Sequence, residues 1–249
     1  MRLTVVLCVM RKRISRPLIP FAACLLLAAP VRAQSAVDPS GHWEGSIQVQ
    51  GRDIPVVVDL AKQNGGGFSG TIGLPQENLA GLPMQSVTFE GGWVTFSVRS
   101  DQIFKAALSA DGKSMTGDYT LSAGSVPFGM DRKGDAVIAG PPKSPKITRE
   151  LEGTWNASPT VDGATMRLVL TLANQPDGMA TGTISNLGQG GVTIPLTIKQ
   201  AGPSVTLEIA AVKASYTGTL NSAGTELAGT YTQAGATIPV TFQRAAPAR

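Results

Sequence analysis

Residues 192–209 read VTIPLTIKQAGPSVTLEI. Apolar side chains stand at alternate positions from 192 to 198 and again from 205 to 209, on either side of an Ala-Gly-Pro break at 201–203. Successive side chains of a strand point to opposite faces of a sheet, so this pattern predicts two β-strands, each with one buried face. The same alternation recurs elsewhere, for example at residues 166–172, and it predicts an all-β fold.

The chain also contains an internal repeat at an offset of 112 residues. A Gly-x-Trp motif at residues 41–43 aligns with a second one at 153–155. The spacing holds over about 90 residues, as far as Arg132, which aligns with Arg244. A constant offset over such a length indicates a duplication.

The repeat divides the chain into four predicted segments. Residues 1–33 form a signal peptide, residues 38–133 the first β-barrel repeat, residues 134–149 a Pro-rich linker and residues 150–245 the second β-barrel repeat. The linker includes Gly-Pro-Pro-Lys-Ser-Pro at 140–145. Such a composition favours extended, semi-stiff backbone over a packed element.

Each repeat is expected to contain eight short strands joined by Gly-containing turns. A sheet of sequential antiparallel strands has two exposed edges, and closing the sheet removes them. We therefore predict two tandem eight-stranded antiparallel up-and-down β-barrels. Two β-sandwiches remain the alternative, because alternation alone does not distinguish the architectures.

The amino-terminal segment has the layout of a secretory signal peptide. A basic group at residues 11–16 precedes an apolar run at 18–29, and Val31-Arg32-Ala33 offers a cleavage site before Gln34. The run is shorter than the roughly 20 residues that a membrane-spanning helix needs. We expect an exported protein, periplasmic or extracellular. Lipidation at Cys24 is the disfavoured alternative, because the apolar run continues beyond that cysteine.

Cleavage after residue 33 changes the charge and the cysteine content. It removes six of the 21 basic residues, leaving 15 against 17 acidic ones and a net charge of −2. This excludes the basic balance typical of nucleic-acid binding. Cys8 and Cys24 are removed as well, so the mature chain has no disulfide, thiol nucleophile or thiolate metal site. No cofactor and no transmembrane segment are predicted for it.

The Gly-x-Trp motif on the first strand of each repeat resembles the opening signature of calycin barrels, the lipocalins, fatty-acid-binding proteins and avidins. The whole repeat is also similar to a secreted bacterial β-domain found ahead of α/β-hydrolase or β-lactamase-like domains. The resemblance implies a non-catalytic barrel that binds a small ligand. In calycins an Arg or Lys from near the end of the barrel packs on the first-strand tryptophan, which implies Arg132 on Trp43 and Arg244 on Trp155.

Candidate catalytic groups are few. His42 is the single histidine, and its strand phase places it towards solvent, beside inward-facing Trp43. Asp59 is expected to face outward for the same reason. One histidine without cysteine does not make a zinc site, so no metal site is predicted. We expect no enzymatic activity. The alternatives are a hydrolase that depends on His42 and a purely structural module.

The inward-facing aromatic residues have two interpretations. They form a packed core, or they line a small apolar pocket in which tyrosine hydroxyls provide polar contacts. Under the second interpretation the partner is a small apolar ligand, and an envelope protein is the other candidate partner. The candidate ligand-binding residues are Trp43, Phe104, Tyr119, Trp155, Tyr216 and Tyr231.

Overall fold

The computed structural model describes residues 37–161 and 163–246. The predicted signal peptide at residues 1–33 lies outside this range. Within it the protein is an all-β molecule with two large antiparallel sheets, as the sequence predicts. Each sheet curls around its own apolar core.

The first sheet is built in the spatial order β4-β3-β2-β1-β9-β8-β7-β6-β5. Its strands are β1 (Gly41–Val49), β2 (Arg52–Lys62), β3 (Phe68–Leu74), β4 (Leu79–Pro83), β5 (Ser86–Glu90), β6 (Trp93–Arg99), β7 (Gln102–Leu108), β8 (Ser114–Leu121) and β9 (Gly124–Gly134). A short 3₁₀ turn, Pro75–Glu77, precedes β4.

The second sheet has the order β10-β15-β14-β11-β20-β19-β18-β17-β16. Its strands are β10 (Ser144–Pro145), β11 (Gly153–Ala157), β14 (Leu168–Asn174), β15 (Met179–Asn186), β16 (Thr193–Ala201), β17 (Ser204–Ile209), β18 (Ala214–Leu220), β19 (Glu226–Gln233) and β20 (Ala236–Arg244). A small separate hairpin pairs β12 (Thr160–Val161) with β13 (Ala164–Thr165). Two 3₁₀ turns, Leu187–Gln189 and Ala210–Val212, lie between strands.

One bent strand determines how each sheet curls. In the second sheet, residues 193–196 of β16 pair with β15 and residues 197–201 pair with β17, which closes an eight-stranded barrel. In the first sheet the corresponding strand is divided into β4 and β5 by Met84 and Gln85. Met84 N–H donates to Gly70 of β3 (2.9 Å) and Gln85 N–H to Ser97 of β6 (2.8 Å). The division leaves β4 and β5 as unpaired edges, so the first sheet is a curled half-barrel of nine strands where a closed eight-stranded barrel is expected. We refer to this half-barrel below as the first barrel.

In each barrel, the strand that carries the Gly-x-Trp motif pairs with the last strand along the chain. Trp43 of β1 pairs with Arg132 of β9, and Trp155 of β11 pairs with Arg244 of β20. Both tryptophans are completely buried. Each therefore anchors one end of its barrel's core.

Part of the expected linker packs against the second barrel. Ser144 is buried, and its Oγ accepts a hydrogen bond from Ile198 N–H at 2.8 Å. Ile147 is also buried, and its N–H donates to Asn174 Oδ1 at 3.0 Å. The prolines favour an extended backbone, and Ser144 and Pro145 pair with the first residues of β15. Residues 144–147 therefore belong to the packed structure.

Candidate functional site

The two ends of each barrel differ. At one end the Trp–Arg pair fills the interior; at the other, apolar side chains surround open volume. In the first barrel, β1 runs from Trp43 at the closed end to Ile47 and Val49, which line a cavity of 440 Å³. In the second, β20 runs from Ala236 and Ile238, which line a cavity of 340 Å³, to Arg244 at the closed end.

At the closed end of the first barrel, the guanidinium carbon of Arg132 lies 4.7 Å from the ring centroid of Trp43. In the second barrel, the same distance from Arg244 to Trp155 is 4.4 Å. Both distances are within cation–π range, and the pairs are those that the calycin resemblance implies. The indole N–H groups donate to main-chain carbonyls four residues earlier, at 3.0 Å in each barrel.

The arginines make a further set of contacts that sequence reasoning missed. Arg132 Nε donates to Gly112 O at 2.8 Å, and its other nitrogens donate to Asp38 O and Ser40 O. Arg244 donates to three carbonyls at the same 112-residue offset, those of Gly224, Glu150 and Glu152. Every residue has a main-chain carbonyl, so residue type does not show which carbonyls accept these hydrogen bonds. Only the repeat spacing could have indicated them.

The glycine of the second Gly-x-Trp motif fits this arrangement. Gly153 has a φ of +131°, and a Cβ added to it would lie 2.9 Å from Nη1 of Arg244. Glycine is the residue that adopts this backbone conformation without strain. The motif therefore provides the tryptophan and a glycine that leaves room for the arginine side chain.

Three of the candidate ligand-binding residues do not line either cavity. Trp43 and Trp155 belong to the closed ends. Tyr216 is buried in the core, where its hydroxyl donates to Leu227 O (2.9 Å) and Val240 O (3.2 Å). Its ring occupies the space beside Gly229, where an added Cβ would lie 2.8 Å from the tyrosine Cζ. Burial raises the pKa of Tyr216 far above its ordinary value.

The other three candidates line the cavities. Phe104 stacks between Phe96 and Tyr119 with centroid distances of 4.7 and 4.1 Å, and Phe104 and Tyr119 both line the first cavity. Tyr231 lines the second cavity, and its hydroxyl donates to Gln233 Oε1 at 3.0 Å. Burial raises the pKa of Tyr119 and of Tyr231, so both phenols are neutral donors at physiological pH.

The two cavities share part of their walls where the barrels join. Asn186, Ile194 and Val212, all from the second barrel, line both cavities. Lys213 beside them reaches across the joint, and its Nζ donates to Asn78 Oδ1 at 2.7 Å. The open ends of the two barrels therefore face each other. The local sequence pattern of each repeat contains no signal for this placement.

His42 lies elsewhere, on the outer surface of the first barrel. Its Nδ1 is 2.9 Å from Asp59 Oδ1 and its Nε2 is 3.4 Å from Glu44 Oε1. The hydrogen bond to Asp59 is the main cause that raises the pKa of His42. Asp59 does not face open solvent as expected: it is only 9% exposed, because the chain after β9 covers it and Val137 N–H donates to its carboxylate at 2.8 Å.

The contacts of His42 differ from those of a histidine that activates a nucleophile. A histidine that activates a nucleophile needs a hydroxyl or thiol on one ring nitrogen. Within residues 37–161 and 163–246, both ring nitrogens of His42 contact carboxylates. The same residues contain no cluster of three or more metal-ligating side chains. No helix in these residues has both the length and the apolar character that a membrane crossing needs.

Comparison with known proteins gives weak likenesses. No protein-family model and no curated protein matches the chain. A solved structure from Bacteroides fragilis NCTC 9343, provisionally described as an outer membrane protein, is 10% identical, covers 82% of this chain and 95% of its own, and has a TM-score of 0.26. A DUF3598-family protein of unknown function from Nostoc punctiforme PCC 73102 is 13% identical, covers 85% and 98%, and has a TM-score of 0.22. Neither likeness bears on what this chain binds.

Proposed function

We propose that this protein is an exported, non-catalytic envelope protein that binds a small apolar ligand at the open ends of its barrels. The observation that carries the proposal is the pair of cavities of 440 and 340 Å³, each walled chiefly by aliphatic and aromatic side chains. Ligand cavities in proteins measure about 300–1,000 Å³ and combine apolar walls with a few polar groups. Phe104, Tyr119 and Tyr231 are the ligand-binding candidates that fit.

The proposal includes a calycin-like origin by duplication. The repeated sequence motifs, the Trp–Arg pairs and the equivalent carbonyl acceptors at a constant offset all support it. Trp43, Trp155 and Tyr216 have structural roles under this proposal. Signal cleavage before Gln34 would release the mature chain.

Native mass spectrometry of protein purified without detergent tests ligand binding. We expect a retained adduct, or a mass increase after incubation with apolar compounds. Barrels that stay empty under both conditions would contradict ligand binding and leave a structural or protein-interaction role. The intact mass of the exported protein tests processing, with an amino terminus at Gln34 expected and a lipidated Cys24 contradicting it.

An esterase, glycosidase and peptidase panel tests the absence of catalysis. We expect no turnover by the wild-type protein. Hydrolysis that disappears in His42→Ala would contradict the proposal. The matched control is Lys199→Ala, which removes an exposed cation from the second barrel. It should leave any measured hydrolysis unchanged.

A further inference from the structure

The two cavities adjoin each other, because Asn186, Ile194 and Val212 line both of them. These three side chains are the wall that the two volumes share. A ligand long enough to extend beyond one barrel would pass them to reach the other cavity. This arrangement differs from two barrels that each hold a separate ligand.

The cavity of the second barrel is suited to a hydrocarbon chain. Among the described residues, none of the side chains lining it is charged. Leu168, Ile184, Ile209 and Ile238 form its wall, and Met166 adds a side chain that adapts to irregular shapes. Burying apolar ligand surface against such a wall is favourable roughly in proportion to the area removed from water.

The cavity of the first barrel is rich in hydrogen-bond donors. Arg99 Nε is buried without a hydrogen bond to any described residue, while Nη2 of the same guanidinium donates to Asp101 Oδ2 at 3.2 Å. The Tyr119 hydroxyl and the Asn186 amide also line this wall, and Asn186 Oδ1 accepts a hydrogen bond from Gly188 N–H. Glu77 is the acidic residue of this wall. A buried donor without an acceptor is costly, so a group with an acceptor oxygen fits beside Arg99 Nε.

On the basis of the proposed function, we propose that a single elongated amphiphile occupies both cavities at once. Its hydrocarbon chain lies in the second barrel. Its polar group, which carries acceptor oxygens, lies in the first barrel beside Arg99 and Tyr119. The ligand passes the joint at Asn186 and Val212, so the binding site is complete only when both barrels are present.

The experiment uses the full mature chain and a fluorescent probe, dansylated undecanoic acid. Native mass spectrometry and fluorescence titration give the number of probes per chain and the affinity. Leu79→Glu places a charge in the first cavity only, and Met166→Glu places one in the second cavity only. Leu187→Glu is the matched control, because Leu187 is exposed near the joint and lines neither cavity.

We expect one probe per wild-type chain. Each cavity variant should weaken that single binding event by about tenfold or more, because a buried charge loses its hydration. Leu187→Glu should bind as the wild type does. The same dansylated chain ending in an ammonium group should bind more weakly, because its head group only donates hydrogen bonds.

Other results would overturn the inference in distinguishable ways. Two probes per chain, or loss of binding in only one cavity variant, would show separate sites and leave the proposed function standing. Equal affinity for the ammonium probe would overturn the assignment of the polar group. No binding of either probe by the wild type would overturn the proposed function itself. Thermal unfolding of each variant shows whether it is still folded. The number of probes bound per wild-type chain tests the inference even if a variant fails to fold.

Discussion

Arg244 lies across the face of Trp155, with its guanidinium carbon 4.4 Å from the ring centroid, while its nitrogens donate to three main-chain carbonyls. Two of those carbonyls, of Glu150 and Glu152, belong to the segment that leads into β11. One side chain thus covers the tryptophan and ties the start of the barrel to its last strand. Arg132 makes the equivalent contacts in the first barrel.

This arrangement predicts unequal effects for substitutions in the pair. Trp155→Ala should lower the free energy of unfolding by about 3–5 kcal/mol, because it empties a fully buried site. Arg244→Lys keeps the charge but loses the planar stacking and the fixed set of donors, for a loss of about 1–2 kcal/mol. Denaturant unfolding measures both. Lys199→Ala on an exposed side chain is the control, and an Arg244→Lys protein as stable as the wild type would contradict the role of the arginine.

The glycine before Trp155 gives a second stability prediction. Gly153→Ala should destabilise the protein by about 1–3 kcal/mol, because the backbone there has a positive φ and the new Cβ would crowd Arg244. Gly140→Ala should be close to neutral, since nothing lies within 4 Å of an added Cβ at that position. Thermal unfolding of the two variants makes the comparison. If the two variants were equally stable, the backbone conformation at residue 153 would not require glycine.

The strands themselves were predictable, because one face of nearly every strand is buried and apolar residues recur at alternate positions. The contact between Trp155 and Arg244 was implied by the calycin resemblance, and the structure places the two residues opposite each other on neighbouring strands. The division of one strand into β4 and β5 was missed. Met84 and Gln85 pair with different strands, and the core-packed apolar residues change there from even positions (Leu82, Met84) to odd positions (Val87, Phe89). This change of phase is the signal that could have indicated the division.

The candidate site was only partly predictable. Strand phase places Phe104, Tyr119 and Tyr231 inside the barrels. The same phase also places Tyr216 inside, but Tyr216 is fully packed in the core and lines no cavity. Whether an inward residue borders open volume depends on its height along the barrel. The joint formed by Asn186 and Val212 depends on how two folded repeats pack, and local periodicity contains no such information.

The single histidine predicts a pH dependence of stability. The hydrogen bond to Asp59 raises the pKa of His42 in the folded protein, so folding favours the protonated ring. This contribution is fully present below the unfolded pKa of about 6.5 and is lost as the pH rises through the higher folded value. Wild-type denaturation midpoints should therefore fall across that range. His42→Gln should remove this fall, and an unchanged pH profile in the variant would contradict the assignment.

The tyrosines predict a delayed ionisation. Burial raises the pKa of Tyr119, Tyr216 and Tyr231, and these are all the tyrosines of the chain. Spectrophotometric titration of the folded protein should place the midpoint of phenolate formation above pH 10, where exposed tyrosines ionise. Tyr216, with two hydrogen-bonded carbonyls, should ionise only as the second barrel unfolds. A phenolate signal with the midpoint of free tyrosine would contradict the burial of these rings.

The packing of Ser144 and Ile147 makes a prediction about where the second barrel begins. A fragment of residues 143–249 should fold cooperatively, because its sheet closes through β15 and β16 and its core is its own. A fragment of residues 150–249 should be less stable by about 2–3 kcal/mol, because it lacks the buried Ile147 side chain and the Ser144 hydrogen bond. Ile147→Ala in the longer fragment should reproduce most of that loss. Calorimetry of the three proteins tests this, and a longer fragment that is unfolded while the full chain is stable would mean that the barrels fold only against each other.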